Sequence, residues 1–203
     1  MKSNYSKILL IIIAFLGGFV LMSMELVFPR ISMIWFGNVL SVWAIDLSMS
    51  LVIIAIGYRL GSWLLQKNKH PLKACLIAVY FFGAFYLLLI NILYKALMEY
   101  IAPLDEVFGS LLFSMILMFP TMGILAFSGP LLVKIFNATS SKHNSGSSLI
   151  FGFSTLGGAV AMLIVGLYTL PNLGISITFY FLILLLLLNA FLIIFLKKEM
   201  LSR

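Results

Sequence analysis

Two carboxylates, Glu25 and Asp46, stand inside apolar runs of this chain. An acid at the centre of a membrane helix costs about 2.5–3.5 kcal/mol, so it usually serves pairing, packing or the handling of ions. Glu25 lies near the end of the first apolar run, with Pro29 and Arg30 just beyond it. Two chemistries fit this placement: an interfacial ion pair of Glu25 with Arg30, or a carboxylate that binds a cation. Asp46 lies about two turns into the second run, where Trp43, Asp46, Ser50, Gly57 and Gly61 follow helical spacing. They form one polar and small face, expected to look away from lipid. Asp46 is then either a hydrogen-bonded or protonated acid between helices, or the second wall of an acidic pocket shared with Glu25. Asn91, with Tyr94 three residues on, brings polar groups to a similar depth from a third run. The candidate ligand-binding set is Glu25, Asp46, Trp43, Ser50, Asn91 and Tyr94. Glu99, Asp105 and Glu106 come next, in the connection beyond that run. They read either as a solvated loop or as a negative mouth that draws cations by its long-range field.

No catalytic constellation accompanies these acids. Cys75 is the single cysteine, and His70 and His143 lie in polar loops far from other ligand types. Neither a metal site nor a cofactor is expected. There is no HExxH-type motif and no glycine-rich turn after a strand, and Ser, His and Asp do not gather at one depth. The chain does not read as an enzyme.

The elements that position these residues are set by composition. Of the 203 residues, 63% are hydrophobic and 9% charged, with a mean hydropathy of +1.18. A soluble domain is about 25% charged, so the composition implies an all-α integral membrane protein in a lipid bilayer. The net charge of +7 carries no nucleic-acid signal, because no basic stripe is interleaved with aromatics. Apolar runs at 8–28, 39–65, 72–97, 107–136, 149–170 and 175–196 predict six transmembrane helices in a single membrane domain. Pro120 and Pro130 should kink the fourth. The first run is too long for a signal peptide and is followed by Glu-Leu-Val-Phe-Pro-Arg rather than a small-residue cleavage site, so it is expected to be retained. Residues 137–148 form a polar cytoplasmic linker. Gly57, Gly61 and the small-residue pairs Ser154/Gly158 and Gly157/Ala161 suit close helix packing, with glycine flexibility in a moving helix as the alternative for the pairs.

With the N-terminus inside, all 13 Lys and Arg except Arg30 and Lys95 fall on the inner side. The positive-inside rule then places both termini in the cytoplasm, in a cell inner (plasma) membrane. Every acid except Glu199 falls in the outer half or outer loops.

The stretches ELVFPR, FGN, VWA and GYRLGSWL resemble the membrane domain of spermidine synthase-like proteins, which is similar to half of a major facilitator transporter. The matching positions are Glu25, Arg30, Phe36, Gly37, Trp43, Gly57 and Gly61. A second match is STLGGAVAMLIVGLYTLPNLG, through Thr155, Leu156, Gly157, Gly166, Pro171 and Gly174, and a looser third pairs Pro120-Thr121 with Gly129-Pro130-Leu131-Leu132. The resemblance implies a half-facilitator-like bundle, which would enclose a cavity by dimerising, and a polyamine as ligand. Asp46 stands where that family has an apolar residue. The acidic residue of the facilitator loop signature is missing from Gly61-Ser-Trp-Leu-Leu-Gln-Lys. The aminopropyltransferase domain often fused to this family is not expected within these residues.

Two functions stand as expectations. One is a transport or binding module for a small organic cation, with a polyamine favoured. The other is a non-catalytic membrane partner or anchor of a separately encoded soluble aminopropyltransferase-like enzyme, docked on the basic cytoplasmic face.

Overall fold

The computed structural model describes residues 2–67, 72–139 and 146–196, and every regular element among them is helical. His70, His143, Lys69, Lys142, Lys197, Lys198 and Glu199 lie outside the described residues, as does the middle of the 137–148 linker. The helices are α1 (Lys2–Phe36), α2 (Leu40–Lys67), α3 (Leu72–Ile101), α4 (Glu106–Phe113), α5 (Phe119–Thr139), α6 (Gly146–Ile164) and α7 (Leu170–Ile194). A π-turn at Ser114–Met118 joins α4 to α5, and another at Val165–Thr169 joins α6 to α7.

Five helical runs are long and apolar enough to cross a membrane, not the six that hydropathy suggests. The fifth and sixth apolar runs belong to one helical stretch, Gly146–Ile194, of 49 residues. Within α7 only Gly174 leaves helical geometry, at φ 78°, ψ 178°, a region open in practice to glycine alone. Much of the apolar surface faces outward; in α2 only 28% of the most apolar window is buried. Such a surface suits lipid and is compatible with a multi-pass membrane protein.

The prolines explain the interruptions. α1 does not stop before Pro29 but continues through it to Phe36, and the turn falls at Gly37, with φ 93°. Pro120 lacks the N–H that an α-helix would send to Ile116 O, and its ring crowds that carbonyl. The backbone widens into the π-turn just before it, where Phe119 N–H reaches Ser114 O. The Ile116 carbonyl is taken up by the Tyr86 hydroxyl of α3 at 2.6 Å. Pro171 repeats the pattern: it comes just after the second π-turn, whose Leu170 N–H reaches Val165 O.

Glycines set the closest approaches. A Cβ on Gly57 would meet the Gly123 carbonyl and the Ala126 side chain of α5, and one on Gly61 would lie 2.5 Å from Phe127 O. Gly18 abuts Ser154, Gly157 abuts the Phe15 carbonyl, and Gly158 abuts Met22, which joins α1 to α6; Ala161 is fully buried. α3 packs along α7 in the opposite direction: Lys73 Nζ near its start bonds to Ile194 O and Leu196 O at 2.6 and 2.7 Å, while Tyr94 near its end meets Phe179 edge-on at 6.5 Å.

Candidate functional site

α1 and α2 are joined by the short turn at Gly37 and run in opposite directions, which brings Glu25 opposite Ser50 and Ser32 opposite Asp46. Both acids therefore lie along one helix interface, in the half of the bundle nearer the Gly37 turn. Ser50 Oγ is 2.8 Å from Leu47 O and 3.2 Å from Glu25 Oε1. Its single proton is divided, and the shorter contact is the intrahelical one. Glu25 is thus lightly held, and it is only half-buried. Its backbone carbonyl also lacks the usual donor four residues on, because that residue is Pro29.

Asp46 is 0% exposed. Its Oδ1 accepts from Ser114 Oγ, the first residue of the π-turn, at 3.1 Å. Ser32 Oγ faces the same carboxyl group, but neither it nor Asp46 Oδ2 makes a hydrogen bond of ordinary length and angle.

Arg30 does not take part. Because α1 stays helical through Pro29, five residues carry Arg30 about 140° round the helix from Glu25. It is exposed, while the Glu25 side chain bonds to Ser50. The Glu25–Arg30 pair, which assumed a loop at Pro29, is not among the contacts of the described residues. Trp43 departs from the inward face as well: it is 46% exposed, whereas Asp46 and Ser50 are buried along with Gly57 and Gly61. Asn91 and Tyr94 belong to α3, which packs chiefly on α5 and α7 and not on α2. Asn91 Oδ1 is buried without a partner, and Tyr94 is a core residue against Phe179. The candidate set thus divides: Glu25, Asp46 and Ser50 come together, and Trp43, Asn91 and Tyr94 do not join them.

The loop acids have defined structural roles. Asp105 caps α4, accepting from Val107 N and Phe108 N at 3.1 and 3.5 Å. Glu106 accepts from Ser41 Oγ at the start of α2 at 2.9 Å. Glu99 is exposed.

Ser32 and Ser114 are the residues that sequence reasoning missed. Ser32 was within reach, since it lies seven positions after Glu25 and so shares its helix face. Ser114 carried no such signal, because its direction depends on the π-turn.

Two cavities lie elsewhere. One of about 20 Å³, room for a single water, sits inside the bundle between Gly17, Tyr58, Tyr80, Ser128 and Ser154. The other is an open groove of about 490 Å³ at the opposite end from the acids, walled by Tyr58, Leu65, Pro130, Val133 and Phe151, with Ser62, Lys134 and Asn137 at its edge. Among the described residues no three His, Cys, Asp or Glu side chains are grouped so as to hold a metal.

The fold and site define a helical bundle with an acid-and-serine cluster in an apolar helix interface. No protein-family model, curated protein or solved structure matches the chain.

Proposed function

We propose that this chain is a membrane-embedded module that binds and moves a small organic cation, with a polyamine favoured by its resemblance to the membrane domain of spermidine synthase-like proteins. The observation that carries the reading is the Glu25–Asp46 interface. Two acids line one face of the α1/α2 hairpin, and their side-chain partners among the described residues are serine hydroxyls, with Tyr58 near Glu25. Apolar surroundings strengthen the pull of the Glu25 carboxylate on a cation. Asp46 and Ser50, the residue opposite Glu25, are one turn apart, about 6 Å along the axis. A short methylene chain with an ammonium group on Glu25 can reach along the interface over that distance. Glu25, half-buried and lightly held, is the group an entering cation meets first.

On this reading the 49-residue helix makes two passes, since about 20 residues span a bilayer and Gly174 supplies the reversal. Six passes put both termini in the cytoplasm and the acids in the outer half of an inner (plasma) membrane. A half-facilitator-like bundle of this size completes its pathway as a homodimer.

A second reading, the membrane anchor of a soluble enzyme, is favoured by the open groove at the other end. Its apolar walls and the Lys134 ammonium suit an acidic, apolar segment of a partner.

Uptake of labelled spermidine into proteoliposomes separates the two. Saturable uptake lost in Glu25→Gln supports transport. An absence of saturable uptake and binding would leave the anchor reading.

A further inference from the structure

Burying an ionised carboxylate without a cation beside it is unfavourable unless hydrogen bonds answer all of its lone pairs. Asp46 has no cation hydrogen-bonded to it among the described residues. Its Oδ1 is answered by Ser114, and its Oδ2 is not answered at all. The same carboxyl group faces a second fully buried oxygen, Ser32 Oγ, which is itself unpartnered. Serines in helices commonly return their proton to the carbonyl four residues back, and Ser23, Ser110 and Thr121 do so here at 2.7 Å. Ser32 does not, and neither does Ser114. Both are turned toward Asp46.

A single proton on Oδ2 neutralises the buried acid, and a turn of the Ser32 side chain then lets Oδ2–H donate to Ser32 Oγ while Ser114 Oγ–H continues to donate to Oδ1. When that proton leaves for water, the carboxylate gains a second donor if the Ser32 side chain turns about its Cα–Cβ bond and brings its hydroxyl into hydrogen-bonding position. A hydroxyl is both donor and acceptor, so the same three side chains satisfy the neutral and the charged acid. A lysine at position 32, which only donates, would serve the charged state alone. The placement of Ser114 at the head of a π-turn, a feature frequent at functional sites, aims the third member.

We propose that Asp46, Ser32 and Ser114 form a proton-exchange site, in which the Asp46 carboxyl takes up and releases a proton with no rearrangement beyond a turn of the Ser32 side chain. The charged and titratable groups on the elements packed against α2 around it are few. On α1 they are Glu25 on the same interface, the exposed Arg30, and Lys7 and Tyr5 at the far end; on α4 there is Glu106, held by Ser41; on α5 there is Lys134 at the far end. None of them is bonded to Asp46. The site divides the labour between the acids: Glu25 meets the organic cation, and Asp46 carries a proton. Coupling of that proton to cation movement rests on the transport reading above, whereas the existence of the site does not.

The test is infrared spectroscopy of the full chain in liposomes, without ligand, from pH 5 to pH 10. The wild type should show a protonated-carboxyl C=O band at pH 6, where exposed acids are ionised, and the band should vanish reversibly as pH rises. It should be missing in Asp46→Asn, present in Glu25→Gln, and persist to higher pH in Ser32→Ala, which has lost a donor to the charged form. Ser32→Thr should restore the wild-type profile. If Asp46→Asn does not fold, the Ser32 pair assigns the band alone. No band at pH 6, a band removed by Glu25→Gln, one unchanged by Ser32→Ala, or one that survives to pH 10 in the wild type would each overturn the proposal. Because no ligand is present, these outcomes are independent of whether the chain transports anything.

Discussion

The Tyr86 hydroxyl donates to the Ile116 carbonyl at 2.6 Å, and that carbonyl is open because the residue four positions on is Pro120. The contact repairs a proline break from a neighbouring helix and fixes the π-turn that carries Ser114. Tyr86→Phe should therefore lower thermal stability in detergent by about 1–3 kcal/mol, the cost of an unsatisfied buried acceptor. Adding Pro120→Ala returns an N–H to the helix, so the double variant should lose less than Tyr86→Phe alone. Additive losses would show that the two residues act separately.

Arg30 provides a second check, against the ion-pair alternative. It is exposed and turned away from Glu25, so Arg30→Gln should change stability by less than about 0.5 kcal/mol. A loss of about 3 kcal/mol or more would instead indicate a buried pair.

On the six-pass reading, Gly174 is the residue at which the chain reverses. Its φ of 78° and ψ of 178° strain any side chain, and Gly174→Ala should cost about 1–3 kcal/mol. Gly152 lies within α6 with nothing near a built Cβ, so Gly152→Ala should be neutral or stabilising by about 0.5–1 kcal/mol. Reporter fusions after Lys67 and Lys142 should read inside, and those after Pro103 and Asn172 outside. An inside signal at Asn172 would mean that the chain does not reverse at Gly174.

Close packing of α2 on α5 gives another expected outcome. Gly61→Val forces a side chain against the Phe127 carbonyl, which should cost at least about 1–3 kcal/mol and shift the melting temperature downward. An unchanged melting temperature would mean that the helices stand further apart in the bilayer.

Residue spacing made part of the site legible in the sequence, and the prolines concealed much of the rest. Asp46 and Ser50 were legible as one helix face, with Glu25 at a similar depth, because depth and helical period place them without knowledge of the turn, whereas a shared interface of the two acids was one of two alternatives. Gly57 and Gly61 were legible for the same reason. Arg30 was misjudged because Pro29 reads as a stop, yet a helix supported by its neighbours carries a proline through. Trp43 shares a period with Asp46 but sits at the edge of the buried stripe, where three residues of helix leave it about 60° away. Six spans were inferred because Pro171, Asn172 and Gly174 interrupt the hydropathy. In the structure the backbone absorbs Pro171 in a π-turn, and only Gly174 breaks the helix. Ser114 owes its direction to the other π-turn, a departure from the period of 3.6 that no periodicity analysis registers.

The central claim is that Glu25, on the interface it shares with Asp46, binds an organic cation. Its most direct test is equilibrium binding of labelled spermidine to the reconstituted full chain. The wild type should bind saturably. Glu25→Gln should bind about tenfold to a hundredfold more weakly with an unchanged melting temperature, because a charge-assisted bond of about 1.5–3 kcal/mol is lost. No saturable binding by the wild type, or an unaltered Kd in Glu25→Gln, would contradict the account.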